Sequence, residues 1–214
     1  MPDTLPCPLC AAAGASPFYR DSRREYLRCS ECALVFVPPL YYLDRAAERR
    51  EYELHENHPG DAGYRRFLSR LAIPLLERLP EGASGLDFGC GPGPALAMML
   101  EEGGCRMRLY DSFFRPEQDA LAGQYDFITA TEVVEHLHRP GEELSRLWSL
   151  LRPGGLLGVM TKLVIDAEAF SRWHYKNDPT HVAFFSADTW AWWAASQGGQ
   201  VDQLAADALI IAKP

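Results

Sequence analysis

A glycine-rich segment that follows an apolar run is the first candidate for chemistry in this chain. The segment Leu-Asp-Phe-Gly-Cys-Gly-Pro-Gly occupies residues 86–93. Glycine permits a tight turn and leaves no side chain between the main chain and a bound molecule, so such a loop can approach a nucleoside-bearing ligand closely. The dinucleotide-binding loop needs another glycine three residues after its second, where this chain has Pro94. The spacing D-x-G-x-G-x-G therefore differs from the dinucleotide fingerprint.

Two Cys-x-x-Cys pairs near the N-terminus could bind a metal. They are Cys7 with Cys10 and Cys29 with Cys32, with 18 residues between the pairs. Two such knuckles complete a tetrahedral sulfur site, and we predict a structural zinc ribbon that needs the metal to fold. Two disulfides or a redox pair are the alternatives. Because the first six residues lack the apolar run of a signal peptide, we expect a reducing, cytoplasmic location, which favours zinc.

Imidazole and aromatic side chains are concentrated in residues 163–186, after a predicted strand. Open α/β folds bind ligands at the carboxyl ends of their strands, so we place the chemistry of the substrate here. Histidine titrates near neutral pH and can accept a proton. His181 is the first catalytic candidate, followed by His174 and His136, and Tyr175 could orient a substrate. Each histidine could instead make a purely structural hydrogen bond.

The elements that must position these residues alternate between strand and helix. Apolar runs predict strands at 106–110, 125–130, 156–161, 201–204 and 208–212. Helices are predicted over 63–79, where Pro74 should kink or interrupt the helix, over 94–102, and along an apolar stripe from Leu144 to Leu151. The Arg-Pro-Gly-Gly segment should end the stripe helix, and Ser186 should cap a further one. This order predicts an α/β domain.

The order of motifs resembles the class I S-adenosylmethionine-dependent methyltransferases of small-molecule type. Tyr-Asp-Phe-Ile at 125–128, Glu-Val-Val-Glu-His-Leu at 132–137 and Leu-Arg-Pro-Gly-Gly at 151–155 follow the glycine segment as they do in that family. The resemblance covers about residues 60–214. It implies an enzyme with a doubly wound, mostly parallel Rossmann-like sheet, S-adenosylmethionine as methyl donor and a small-molecule acceptor. Only residues 112–124 separate Asp111 from the next strand, which is too short for a full crossover, so the fold should be shortened around its third strand.

The resemblance also indicates which residues bind the cofactor. An acid at the end of the second strand is placed to accept hydrogen bonds from a ribose. Aromatic side chains after it could cover the adenine or merely close the edge of the core. Glu132 could reach cofactor or substrate, whereas Glu135 is expected on a helix surface. The predicted cofactor-binding residues are Asp87, Gly89, Cys90, Gly91, Gly93, Asp111, Ser112, Phe113, Thr131 and Glu132.

Composition restricts the partners and divides the chain. The formal net charge is −8, which argues against general nucleic-acid binding. Four arginines at positions 20, 23, 24 and 28 form a basic stretch in the ribbon, which we interpret as a solvated hairpin face. No stretch is long enough to span a membrane. We predict a zinc ribbon at 1–39, a connector or lid at 40–59 that includes Tyr52, His55, Asn57 and His58, and the methyltransferase domain at 60–214. A non-catalytic scaffold and an RNA methyltransferase remain alternatives, and nothing indicates an oligomeric state.

Overall fold

The structure is a computed structural model that describes residues 5–54 and 58–214. The N-terminal strands are β1 (Ala15–Arg20), β2 (Glu25–Cys29) and β3 (Val35–Phe36), followed by helices α1 (Arg45–Glu53) and α2 (Ala62–Leu76). The next elements are β4 (Ser84–Phe88), α3 (Ala95–Glu102), β5 (Arg106–Tyr110), β6 (Tyr125–Thr131), α4 (Pro140–Leu150) and β7 (Leu151–Met160). The last are α5 (Ala167–Arg172), β8 (Ala183–Phe184), α6 (Ala187–Ser196), β9 (Gln200–Ala205) and β10 (Ala208–Ala212).

A six-stranded sheet with the order β5-β4-β6-β7-β10-β9 forms the centre of the molecule. The first four strands are parallel, and β10 and β9 close the sheet as an antiparallel hairpin. Successive strand residues point to opposite faces: Phe127 packs with α2 and α3, whereas Ile128 packs with α4 and α6. Helices therefore cover both faces, which confirms the doubly wound α/β fold.

The region after β5 confirms the predicted shortening. Asp111 and Arg115 form an isolated bridge, and a short 3-10 helix at Gln118–Ala122 leads directly into β6. No strand forms between β5 and β6, both of which lie in the described part of the chain, so β5 is an edge of the sheet.

Local signals set most helix starts. The side chains of Asp44, Asp61 and Asp166 each accept a hydrogen bond from an amide three residues later, as does that of Ser186, which was predicted to cap α6. The expected boundary before β7 was wrong. The strand already starts at Leu151, and residues 152–155 form a bulge because Tyr125 pairs with Leu151 but Phe127 pairs with Leu156.

A second sheet joins the ribbon to the rest of the chain. Its order is β1-β2-β3-β8, so the last strand comes from the segment predicted to bind the substrate. Val35 pairs with Phe184 and Phe36 with Ala183. Tyr26, Phe170 and Phe184 pack edge to face beneath this sheet, with centroids 5.0–5.9 Å apart. The ribbon is therefore continuous with the substrate segment. Among residues 5–54 and 58–214, no helix is long and apolar enough to cross a bilayer.

Candidate functional site

Four cysteine sulfurs lie together at the tip of the ribbon. The Sγ atoms of Cys7, Cys10, Cys29 and Cys32 are within 4.8 Å of one another, and two of the pairs are 3.5 Å apart. Zn–S bonds of about 2.3 Å in a tetrahedron place sulfurs about 3.8 Å apart. All six cysteines of the chain are described, and none forms a disulfide. The four thiols therefore fit one zinc ion, with no ligand position left over for catalysis.

The two cysteine pairs have matching backbone conformations. The Cys7 amide donates to the Ala12 carbonyl and the Cys29 amide to the Leu34 carbonyl, each at 2.9 Å. The residues after the pairs, Ala11 and Ala33, have φ of 61° and 58°. This left-handed conformation is uncommon for alanine. It turns the chain back so that both thiols of a pair face the same point.

The glycine loop after β4 forms a cradle that side chains would block. Gly89 has φ +72°, and a Cβ there would lie 2.4 Å from Val133 Cγ2. Gly91 has φ +61°, but a Cβ there would meet nothing within 4 Å, because this position faces the open cleft. Glycine is needed at the first position for close packing and at both for the backbone conformation. The loop therefore presents bare backbone to the cleft, as a loop that closely approaches a ligand must.

Asp111 organises the neighbouring backbone at the end of β5. Its Oδ2 accepts from the Gly91 amide at 3.0 Å, and its Oδ1 accepts from the Phe113 and Phe114 amides at 2.8 and 3.0 Å. A carboxylate has about four acceptor positions, so one remains for a ribose hydroxyl. The predicted role of Asp111 is compatible with these contacts, and the residue also ties the glycine loop to the loop after β5.

Asp87 is buried beneath the glycine loop. Its side chain is 2% exposed and accepts a hydrogen bond from Thr129 Oγ1 at 2.7 Å. Burial, aided by the nearby charge of Asp111, raises the pKa of Asp87 to about 7 even though the Thr129 hydrogen bond opposes this shift. Ionisation of this carboxyl will therefore respond to any positive charge brought into the cleft.

Helix α1 covers the cleft. Arg45 donates from Nη2 to the Ser112 carbonyl at 2.7 Å, and its guanidinium carbon lies 4.5 Å from the centre of the Phe113 ring. Tyr52 packs edge to face on Phe113 at 5.1 Å and on His136 at 5.2 Å. The predicted lid thus touches the aromatic residues at both ends of the cleft. His58 is exposed, and the predicted lid residues His55 and Asn57 lie outside the described residues.

A single cleft of about 1090 Å³ passes under this helix. Every residue predicted to bind the cofactor lines this cleft. So do His174, Tyr175 and His181, which belong to the segment 163–186, distant in sequence from the glycine loop. Sequence reasoning missed Arg45, Glu48 and Lys162, which also line it. The two lid residues lie in a charge-rich connector, and nothing in their local sequence distinguished them from surface positions.

His181 is held in one orientation at the far end of the cleft. It is buried, and its Nδ1 lies 2.7 Å from the Tyr175 carbonyl oxygen. Because a carbonyl only accepts hydrogen bonds, Nδ1 carries a proton, and Nε2 lies 3.8 Å from Asp178 Oδ2. The His136 ring lies 4.6 Å away at 71°. His174 is exposed at the rim, where its Nε2 accepts from Lys162 Nζ at 3.2 Å.

Two carboxyl groups, one on buried Glu135 and one on partly buried Glu132, lie near these rings. The Tyr175 hydroxyl donates to Glu135 Oε1 and lies 3.5 Å from Glu132 Oε2. Burial raises the pKa of Glu132 to about 7 and that of Glu135 to about 8. Burial raises the pKa of Tyr175 far above its usual value, and the nearby charges of Glu135 and Glu132 raise it further. Tyr175 is thus a hydrogen-bond donor that positions the acid cluster.

The expected surface location of Glu135 was wrong. The residue is fully buried, because the segment Val134–His136 forms a 3-10 turn rather than the start of a helix. Its carbonyl accepts from the Val182 amide at 2.8 Å, and the Val37 amide donates in turn to the Val182 carbonyl at 2.9 Å. The turn is thereby tied through the substrate segment to the ribbon.

An arginine of the ribbon holds the substrate segment in place, so the predicted solvated hairpin face is only partly correct. Arg24 is 7% exposed and donates to four main-chain carbonyls of the substrate segment. The distances are 2.9 Å to His181, 2.8 Å to Asp178 and 3.3 Å to Pro179, and the guanidinium also contacts the Lys176 carbonyl. We call this arrangement the Arg24 clamp. It accounts for one of the four arginines without any external partner.

Comparison with known proteins gives matches to methyltransferases. A family model described as a methyltransferase domain matches residues 60–204. The biotin biosynthesis bifunctional protein BioCD of Bordetella avium is 29% identical over 153 residues, which cover 61% of this chain and 31% of that protein. The ubiquinone biosynthesis O-methyltransferase of Erwinia tasmaniensis is 32% identical over 77 residues, covering 35% of this chain and 32% of that protein. The chain thus spans about a third of the length of these relatives.

A solved structure supports the same fold. The structure of magnesium protoporphyrin IX methyltransferase (ChlM) from Synechocystis with bound SAH aligns with a TM-score of 0.52 and 15% identity, covering 79% of this chain and 93% of that one. At this identity the likeness concerns the fold alone. The family model covers well over half of the sequence. The chain therefore belongs to the methyltransferase domain family.

Proposed function

We propose that this protein transfers the methyl group of S-adenosylmethionine to a small-molecule acceptor bound at the His181 end of the cleft. The supporting observation is that one continuous cleft connects the glycine loop to His181 and Tyr175. Its volume of about 1090 Å³ is slightly above the range of about 300–1,000 Å³ typical of small-molecule sites. A cavity of this size can hold the cofactor and a modest acceptor side by side.

The cofactor would be held by residues from three elements. The Gly91 backbone and the remaining acceptor position of Asp111 would bind the ribose end, while Phe113 under Arg45 would cover the adenine. The bound cofactor supplies a sulfonium methyl, which is already electrophilic. The protein's task is then to align an attacking atom with that methyl and to exclude water, and such alignment can supply most of the rate enhancement. The closed position of α1 over the cleft serves both purposes.

His181 is the residue best placed to handle a proton from the acceptor. The hydrogen bond from Nδ1 to the Tyr175 carbonyl holds the ring in position, and in the neutral ring Nε2 would accept the proton. Tyr175 would orient the neighbouring carboxylates and His174 would contact the acceptor at the rim. A nucleophile that needs to lose a proton, such as a hydroxyl, fits this arrangement.

The ribbon would bind one structural zinc and serve as a support for the acceptor site. Its β3 pairs with β8, and the Arg24 clamp fixes the carbonyls of the segment that carries His181. We therefore treat residues 1–39, 40–59 and 60–214 as ribbon, lid and transferase parts of one unit. Because Arg24 contacts the protein itself and Arg20 pairs with Glu25 at 3.1 Å, the basic stretch favours this role over RNA binding.

Calorimetry with S-adenosylhomocysteine tests the proposal on the full chain. We expect one binding site in the wild type and loss of binding in Gly91→Val, whose side chain would enter the cleft and would be strained at φ +61°. Phe113→Ala provides a second variant without backbone strain, and His58→Ala, at an exposed position, serves as the control. A folded wild-type protein that does not bind the ligand would overturn the proposal. Transfer of labelled methyl groups to a panel of hydroxylated and amino compounds would then identify the acceptor.

A further inference from the structure

We propose that Glu135, His136 and His181 bind a divalent transition-metal cation at the acceptor end of the cleft, separate from the four-cysteine cluster. One possible ligand atom from each of the three residues lies within 4.8 Å of the others. Two imidazoles and one carboxylate are a donor set that suits zinc, iron or manganese and leaves positions open for other ligands. The inference rests on the proposed function, since it assigns a cation to the same acceptor site.

The state of Glu135 is the first argument for a cation. Its side chain is fully buried, and Oε1 accepts the Tyr175 hydroxyl hydrogen bond. The other oxygen, Oε2, is also buried and has no hydrogen-bond partner within 3.5 Å in the described ranges. The Thr161 hydroxyl lies close enough to this carboxyl to lower its pKa, but it does not reach Oε2. A buried carboxylate oxygen without a partner is costly. A cation bound to Oε2 would remove this cost.

The orientation of His181 is the second, independent argument. Histidines that bind metals through one nitrogen usually donate from the other to a carbonyl or carboxylate, which fixes the ring. His181 donates from Nδ1 to the Tyr175 carbonyl at 2.7 Å, so a cation would bind through Nε2, in place of the ion pair that Nε2 makes with Asp178 Oδ2 at 3.8 Å. Tyr175 thus contributes to two of the three ligands, through its carbonyl to His181 and through its hydroxyl to Glu135.

A second carboxylate could complete the coordination. Glu132 Oε2 lies 3.5 Å from the Tyr175 hydroxyl, and Glu132 Oε1 is buried without a hydrogen bond to the described residues. No salt bridge involving Glu132 or Glu135 is found within residues 5–54 and 58–214. Lys162 and Arg70 are the basic side chains whose charges act on Glu132. Lys162 Nζ is bonded to His174 Nε2 at 3.2 Å, however, and Arg70 pairs with Asp207 at 2.9 Å. In the described ranges the two carboxyls therefore have no paired basic side chain that a cation would have to displace.

The position of the site indicates what the cation would do. His136 and His181 line the cleft, whereas Glu135 lies behind them. Open coordination positions would consequently face the acceptor, and an acceptor hydroxyl bound there loses its proton to solvent more readily. Its oxygen would then bond to the methyl carbon as the carbon–sulfur bond breaks and the electron pair stays on sulfur. In this form of the reaction His181 is a ligand, and the acceptor is an oxygen nucleophile.

Manganese binding measured by electron paramagnetic resonance tests the site. The full chain is first loaded with zinc at its cysteines, and Mn²⁺ is then added alone, because thiolates prefer zinc whereas carboxylates accept manganese. We expect one bound Mn²⁺ per chain. Affinity should fall at least tenfold in Glu135→Gln, which retains a carbonyl to accept the Tyr175 hydrogen bond, and in His136→Ala. His58→Ala, at an exposed position outside the cleft, should bind Mn²⁺ as the wild type does.

Binding of S-adenosylhomocysteine without added metal separates the two proposals. Samples that bind it but do not bind Mn²⁺ would overturn the cation site and leave the proposed function intact. Equal Mn²⁺ affinity in the wild type and in both cluster variants would also overturn the site. If neither ligand binds, the proposed function fails as well. Retention of S-adenosylhomocysteine binding by Glu135→Gln and His136→Ala would show that these variants are folded.

Discussion

Replacing Arg24 by methionine should loosen the acceptor segment while leaving the cofactor site unchanged. Methionine keeps the apolar stem but removes all donors of the Arg24 clamp. Of its four carbonyl partners, those of Asp178 and Pro179 belong to partly exposed or exposed residues and can bind water instead. Those of Lys176 and His181 belong to residues that are 6% and 7% exposed. At about 1.5–3 kcal/mol for each hydrogen bond to a charged donor, the two buried carbonyls account for about 3–6 kcal/mol.

Hydrogen exchange at residues 173–186 is the appropriate assay. A loss of about 3 kcal/mol corresponds to more than about a 100-fold increase in local opening, and the Val182 amide, bonded to Glu135 at 2.8 Å, should report it. The melting temperature should fall by about 6 °C or more. S-adenosylhomocysteine affinity should change less than twofold, because the glycine loop does not contact the clamp.

The matched control is Arg28→Met in the same hairpin. The Arg28 side chain is 46% exposed, and its nearest acid, Asp188, lies 4.0 Å away. Its replacement should change stability by no more than about 0.5 kcal/mol. Arg24→Lys should give an intermediate result, since an ammonium group reaches fewer carbonyls. The reasoning would be refuted if Arg24→Met and Arg28→Met had the same exchange rates in residues 173–186.

Three further predictions concern the ribbon, the buried acid and the lid. Cys10→Ser, or a chelator, should remove the zinc and lower the melting temperature by about 10 °C or more. Amide hydrogen exchange in residues 173–186 should then become faster. Cys105→Ser lies outside the cluster and should retain the zinc in metal analysis. Because burial raises the pKa of Asp87 to about 7, the affinity for cationic S-adenosylmethionine should weaken as the pH falls below about 7, by up to tenfold per pH unit. Asp87→Asn should flatten this profile in calorimetry, and an equally steep profile in that variant would contradict the assignment. Arg45→Ala removes the contacts to Ser112 and Phe113. The Kd for S-adenosylhomocysteine should therefore rise about 5–30-fold, which corresponds to about 1–2 kcal/mol. Arg49→Ala on the same helix removes only an exposed ion pair with Glu53 and should leave this Kd unchanged.

The sequence was sufficient to predict features that depend on local pattern. The glycine spacing, the cysteine pairs, the strand at Arg106–Tyr110 and the closing hairpin are each set by residues close together in the chain. Even the shortened region followed from counting residues between Asp111 and the next strand. The structure shows that the predicted cofactor-binding and catalytic residues line one cleft, while their individual roles stay predictions.

The features that were missed depend on contacts between distant residues. The burial of Arg24 requires carbonyls more than 150 positions away in the chain. Glu135 lies in a segment whose local pattern favours a helix, but the hydrogen bond between its carbonyl and Val182 holds it in a 3-10 turn. The pairing of β3 with β8 involves only two residues on each strand, which is too short a pattern to recognise in a sequence.

That short pairing has a practical consequence for protein production. The family match begins at residue 60, which invites expression of residues 60–204 or 60–214 as an isolated catalytic fragment. Such a truncation would remove β3 and leave β8 as an unpaired strand edge. It would also expose the aromatic rings of Phe170 and Phe184, which Tyr26 covers in the intact protein. Exposed edges of this kind promote aggregation. A fragment chosen by sequence homology alone would therefore be expected to precipitate, and insolubility of that fragment would say nothing about whether the intact protein is active.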